Sequence, residues 1–227
     1  MTALSGTHFV LTRYLYDKQK VNDSLDKAIA DHDYTQSCFW AYELYFSGFQ
    51  KETLDQLWLF YKTRFSKNHP KLGIYIQQKY KSKSKEPELV ATIIKNLTMK
   101  NPDIQEPQCV KFVNVKAHHI DVFRTKEPAD DLPPWKFLRE ICSYGVIGYT
   151  DEARLKAFRE NWLNHAVKSP IWANLIELYG GSLKDDSVVF ADDDAQEAFY
   201  NRFGYEPDEL PLEIQQRCIG NLYDNTI

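Results

Sequence analysis

Glu43 is the residue whose surroundings most invite chemistry. It is almost the sole polar residue in the apolar run Cys38–Phe46. A carboxylate held away from water can serve as a general acid or base. Alternatively it reaches a helix end or pairs with a lysine, an arginine or a tyrosine hydroxyl, as buried charges usually must. No second carboxylate, nucleophile or metal ligand is tied to it by spacing, so we favour a structural role for this buried polar residue.

Three other clusters resemble reactive or metal-binding motifs. His118 and His119 would point to opposite faces of an extended segment, and no third ligand lies at a suitable spacing. The run Asp192–Asp194 precedes a predicted helix, where capping explains it more simply than cation binding. Gly180–Ser182 follows a helix, whereas a phosphate-binding loop precedes one. The sequence therefore predicts no catalytic residue, no metal and no cofactor, and it favours a non-enzymatic role over an enzyme of unrecognised type.

Residues 62–85, here called the basic segment, could contact phosphates. Net charge is −3 over residues 1–61, +8 over residues 62–100 and −9 over residues 101–227. Lysines interleaved with aromatic rings are typical of nucleic-acid surfaces, but also of a solvated helix face or of a surface that docks on an acidic protein. The candidate nucleic-acid contacts are Lys62, Arg64, Lys67, Lys71, Lys79, Lys81, Lys83 and Lys85.

Helices must position these groups, because apolar residues recur at helical spacing and the chain has only 9 glycines. In the first half the pattern predicts helices near residues 8–16, 21–29, 35–46, 51–65, 70–80 and 87–100. The 8–16 stretch would also suit a short strand. The helix at 35–46 is apolar on all sides, which is typical of the middle of a bundle. Short connections favour antiparallel neighbours, so residues 1–100 are predicted to form a helical-hairpin domain.

The second half differs in texture. Prolines bracket residues 101–134, which we interpret as a linker in which the alternation at Cys109–Phe123 permits one strand or a short hairpin. Residues 135–227 are predicted to form a second, smaller helical region, with Thr150 as an N-cap and helices at 135–142, 151–166, 171–179, 194–203 and 212–219. The predicted fold class is mainly α, an irregular stack of helical hairpins resembling a solenoid.

Composition limits the compartment. The four cysteines are widely separated and form no C-x-x-C pair, so we interpret them as reduced core thiols. The first residues lack the basic and apolar pattern of a signal peptide, and no stretch has the length and apolarity of a membrane span. We expect a cytoplasmic protein that is not secreted.

The run Cys38–Phe49 resembles a stretch in an uncharacterised protein family of nucleocytoplasmic large DNA viruses. The resemblance extends over about residues 8–100, and the tail Phe199–Pro211 is similar as well. It implies a viral origin and a location in the host cytoplasm or the virion. It implies no activity and carries over no catalytic residue.

The aromatic fraction of 14% is high, and surplus rings can anchor a protein partner. We select Trp58, Tyr61 and Trp135 as partner-binding candidates and expect two or three such rings to share an exposed face. The leading hypothesis is a helical protein–protein interaction protein, a viral scaffold, adaptor or virion component. The alternative is a nucleic-acid-binding accessory factor that uses the basic segment.

Overall fold

Helices dominate the computed structural model, which describes residues 9–83, 86–124, 144–203 and 212–222. Nine α-helices and four short strands lie in these ranges. This confirms the predicted mainly α class. None of the helices in the ranges given is long and apolar enough to cross a membrane.

The chain divides into two compact units. Residues Asn22–Thr125 form one, here called the central unit, and Met1–Val21 together with Lys126–Ile227 form the other, the terminal unit. The predicted division into 1–100, 101–134 and 135–227 stays a prediction, because compactness alone does not show which part folds independently.

The central unit is built from helices joined by short connections. They are α1 (Lys18–Ala30, which begins in the terminal unit), α2 (Tyr34–Phe46), α3 (Gln50–Arg64), α4 (Pro70–Lys83) and α5 (Glu88–Thr98). Helix α2 packs against α3 and α5, and α5 also packs against α3 and α4. Helix α2 is capped by Asp33, whose side chain accepts from Gln36 N at 2.9 Å. Gly48 follows its end with φ +99°, a conformation that glycine adopts without steric cost.

Helix α2 is buried on nearly every side, as its apolar sequence predicted. Trp40, Tyr42, Glu43 and Leu44 are each at most 2% exposed. Cys38 is also fully buried, and burial raises the pKa of its thiol to about 12. This helix is the centre of the unit's core.

The terminal unit combines helices with two small sheets. Its elements are β1 (Tyr149–Thr150), α6 (Glu152–Ala166), α7 (Pro170–Leu178), β2 (Gly181–Lys184), β3 (Ser187–Phe190), α8 (Asp193–Phe203), α9 (Leu212–Ile219) and β4 (Asn221–Leu222). Strands β1 and β4 are parallel, and β2 and β3 form an antiparallel hairpin. The core of the terminal unit is aromatic. The Trp172 ring meets the Trp162 ring edge-on with centroids 5.4 Å apart, and its centroid lies 6.3 Å from that of Phe199.

Two local predictions were wrong. Residues 9–17 form a turn closed by a bridge between Leu11 and Asp17, with Leu15 at φ +61°, and not a helix. The N-cap of α6 is Asp151, not Thr150, since the Asp151 carboxylate accepts from Arg154 N at 2.6 Å. Between residues 109 and 123, where the sequence permits a strand or a short hairpin, the described chain has no strand but two 3-10 turns, at Ala117–His119 and Asp121–Phe123; an antiparallel hairpin lies at residues 181–190. Predicted helix 135–142 lies outside the described residues.

Candidate binding groove

A groove opens between α3 and α4, with α5 beneath it. Its cavity volume is about 240 Å³. The lining residues are Leu54, Asp55 and Trp58 from α3, Ile76, Gln77, Tyr80 and Lys81 from α4, and Ile93 from α5. Helical spacing explains the arrangement, because residues four apart share a face of a helix, as Leu54 and Trp58 do on α3.

The groove has an apolar floor and aromatic walls. Leu54, Ile76 and Ile93 are each at most 3% exposed and form the floor. Trp58 is half-buried, and Tyr80 remains 38% exposed. The rings are therefore open to solvent on one side while the floor excludes it.

Tyr61 supports Trp58 from below. The two rings stack with centroids 5.1 Å apart, and Tyr61 is only 4% exposed. The Tyr61 hydroxyl donates to His69 O at 3.2 Å, and burial raises the pKa of the phenol, which stays a neutral donor. A Cβ on Gly73 would lie 2.2 Å from the Tyr61 hydroxyl oxygen, so the tyrosine occupies the space that a side chain at 73 would need.

The groove is edged by positive charge. Lys51 Nζ lies 2.6 Å from Asp55 Oδ2, so the carboxylate that lines the groove is already neutralised. Lys81 lines the groove, and Lys62 follows Trp58 by four residues on the same side of α3. Within the described ranges the side chains of Lys62 and Lys81 make no ion pair or hydrogen bond.

Other cations of the basic segment already have contacts within the central unit. Lys71 Nζ donates to Pro107 O at 3.0 Å and to Gln108 O at 2.5 Å. Arg64 lies over the Phe60 ring at 5.5 Å, and Lys79 lies over the Tyr75 ring at 5.5 Å. Lys67 is exposed, whereas Lys85 and the side chain of Lys83 lie outside the described residues. The nucleic-acid hypothesis for this segment stays a prediction.

Glu106 and His69 form a buried polar pair that sequence reasoning missed. Glu106 Oε2 accepts from Lys71 N at 2.9 Å, so this carboxylate caps the start of α4 from 35 residues away in sequence. His69 Nε2 donates to Asn101 O at 2.7 Å, and its Nδ1 lies 3.9 Å from Glu106 Oε1. The only local signal was Pro70, which marks a helix start whose free N–H groups need an acceptor.

Among the described residues, the remaining sequence candidates are not part of the groove lining. Glu43 is fully buried in α2, and Trp135 lies outside the described residues. His118 and His119 are exposed, with ring centroids 4.0 Å apart. The Asp192 carboxylate accepts from Ala195 N at 2.8 Å, which confirms its capping role. Among the residues that the structure describes, no group of three or more acidic, histidine or cysteine side chains could hold a metal.

The groove is suited to binding. The titratable groups that line it are Asp55, Tyr80 and Lys81, and the Asp55 carboxylate forms an ion pair with Lys51. Its apolar floor would gain free energy from any apolar side chain that displaced water. Comparison of the chain with protein-family models, with curated proteins and with solved structures finds no match, so the geometry of the groove carries the functional inference.

Proposed function

We propose that this is a helical interaction protein that binds a partner protein by seating a large apolar side chain of that partner in the groove between α3 and α4. The observation that carries the proposal is the position of the half-buried Trp58, whose ring stacks on the buried Tyr61 ring beside the apolar floor of the groove. Tryptophan and tyrosine supply a disproportionate share of the binding energy at protein interfaces.

The size of the groove favours a side chain over a small molecule. Pockets for cofactors and drug-sized ligands have volumes of roughly 300–1,000 Å³. The cavity here, about 240 Å³, is smaller. It has room for one or two side chains, and burying one large apolar side chain contributes about 1.5–3 kcal/mol.

Further apolar surface lies on the same two helices. Leu59 on α3 is 54% exposed, and Ile74 on α4 is 58% exposed. Neither residue lines the groove. They extend the surface over which a partner could make weaker contacts around a central anchor.

The role of scaffold, adaptor or virion component belongs to the same proposal. Its support is the resemblance of Cys38–Phe49 to a family of large DNA viruses. The buried position of this run in α2 gives it a core role in the unit that carries the groove. The proposed partner is then a protein of the virus or of the infected host cell.

Peptide selection followed by photo-crosslinking tests the proposal. Peptides are selected from a random display library on the purified full-length chain, and the best binder is used as the probe. A photoreactive amino acid replaces Gln77, which is exposed and lines the groove, or the neighbouring Gln78, which is exposed but does not line it. We expect crosslinking from position 77 and little from position 78.

A substitution provides the second readout. Trp58→Ala should lower the affinity of the chain for the selected peptide by about thirty-fold, since truncating a hot-spot residue costs about 2 kcal/mol of binding free energy. Leu178→Ala is the matched control, because Leu178 is an exposed apolar residue at the end of α7 and does not line the groove. Circular dichroism verifies that both variants fold. Equal crosslinking from both positions, together with unchanged affinity of Trp58→Ala, would rule out the groove as the docking site.

A further inference from the structure

We infer that the partner segment is an acidic amphipathic helix, with its apolar anchor in the groove and acidic side chains on both flanks of that anchor. The inference rests on the proposed function, because it names the chemistry of the partner that the groove receives. It is argued from the direction of α3 and α4, from the charges along them, and from the satisfied state of their backbones.

The two helices that form the groove are antiparallel. Gly73, near the start of α4, touches the Tyr61 ring near the end of α3. At the other end, Tyr80 and Lys81, late in α4, line the same groove as Leu54 and Asp55, early in α3. The groove therefore runs along both helix axes, and on α3 its lining spans Leu54–Trp58, with Lys51 before one end and Lys62 beyond the other.

Lys62 and Lys81 lie towards opposite ends of this groove. Lys81 lines the groove together with Asp55 and so lies near the level of Lys51 and Asp55, whereas Lys62 lies four residues beyond Trp58 on α3. At a rise of about 1.5 Å per residue, the 7–11 residues between these levels of α3 correspond to about 10–16 Å. An acidic residue about one to one and a half turns from the anchor, on each side, would reach one of the two lysines.

The positive charge at the groove favours an acidic partner segment over a basic one. Asp55 is neutralised by Lys51 at 2.6 Å, so the ammonium groups of Lys62 and Lys81 leave the groove edges positive. Residues 62–100 carry a net charge of +8 in a chain whose net charge is −4. Such a local field attracts an acidic segment during encounter and disfavours a basic one.

A helix is the favoured conformation of the partner because the groove has helical walls. The backbone groups within α3 and α4 are used in their own helical hydrogen bonds, so a partner cannot add as a strand. Recognition then depends on side chains alone. An amphipathic helix presents an anchor and flanking charges at i, i+4 and i+7 spacing on one face.

Two synthetic helical peptides test the inference on the full-length chain. Both carry the same phenylalanine anchor, and the flanking residues are glutamates in one peptide and lysines in the other. We expect the acidic peptide to bind about tenfold tighter at low salt, and the difference to shrink as salt is added. The double variant Lys62→Glu/Lys81→Glu should reverse the preference.

A charge-matched control is the double variant Lys67→Glu/Lys116→Glu. Both lysines are exposed and lie outside α3 and α4, the two helices that form the groove, so the preference for the acidic peptide should persist. Trp58→Ala should weaken the binding of both peptides by the same factor. A single-stranded DNA oligonucleotide is added as a competitor, and we expect it to leave peptide binding unchanged.

The outcomes separate the two claims. Equal binding of both peptides, lost in Trp58→Ala, would keep the groove as a docking site and overturn the acidic partner. Binding of neither peptide would overturn the acidic helix as the partner, whereas binding that Trp58→Ala does not alter would refute the proposed function itself. Displacement of the acidic peptide by DNA, lost in Lys62→Glu/Lys81→Glu, would overturn the inference in favour of a nucleic-acid ligand.

Discussion

Replacing Gly73 by alanine places a methyl group where the Tyr61 phenol lies. The new Cβ would be 2.2 Å from the hydroxyl oxygen, 2.7 Å from Cζ and 2.9 Å from Cε1 of the Tyr61 ring. Real contacts are not this short, so the ring must move. Tyr61 would then lose its hydrogen bond to His69 O and its place beneath Trp58.

The expected cost follows from three contributions. Overpacking a filled site costs about 1–3 kcal/mol. Loss of the Tyr61 hydrogen bond costs about 1 kcal/mol. Alanine in a helix interior returns about 1 kcal/mol relative to glycine. The net destabilisation is about 1–3 kcal/mol, which for a chain of this size lowers Tm by roughly 3–10 °C.

Urea unfolding followed by circular dichroism measures this effect. Gly145→Ala is a matched control, because the nearest atom to its new Cβ would lie at an ordinary 3.7 Å. Its stability should stay within about 0.5 kcal/mol of the original. Tyr61→Phe/Gly73→Ala should be less destabilised than the sum of its single variants, because removing the hydroxyl relieves the shortest contact.

The same variant tests the link between Tyr61 and the groove. We expect Gly73→Ala to weaken binding of the peptide selected on the groove, since Trp58 loses its support. If Gly73→Ala unfolds at the same urea concentration as the original chain, the packing of Tyr61 against α4 is refuted. If it is destabilised but binds the peptide unchanged, the support of Trp58 by Tyr61 is refuted.

Three further predictions concern caps and thiols. Glu106→Ala should lower the free energy of unfolding by about 1–3 kcal/mol, because α4 loses its acceptor at Lys71 N, whereas Gln105→Ala at an exposed neighbouring position should be neutral in the same urea titration. Asp151→Ala should cost about 0.5–2 kcal/mol through loss of the α6 cap, and an unchanged urea midpoint would contradict that assignment. Cys109 should react with a thiol reagent at neutral pH while Cys38 should not, because burial raises the pKa of Cys38 to about 12 and keeps it protonated; mapping the labelled cysteines by mass spectrometry, with unfolded protein as the control, decides this.

The sequence by itself determined those helices whose causes are local. Residues only a few positions apart define the apolar faces of α3 and α9 and the start of α7 at Ser169–Pro170. In the structure these three helices begin and end within a residue or two of the predicted bounds. The burial of α2 also followed from its composition. Trp58 was chosen as a partner-binding candidate from its residue type alone; the structure places it in the lining of the groove, and its role in binding stays a prediction.

Only the tertiary structure decided which groups meet. Tyr61 was grouped with Trp58 as an exposed ring, yet it lies beneath Trp58 because Gly73 of the next helix leaves room for it. Glu106 caps α4 across 35 residues, and residues 9–17 fold as a turn whose Tyr16 hydroxyl donates to Tyr144 O. Helical periodicity states which side chains share a face, but which faces approach each other depends on long-range packing that no local pattern encodes.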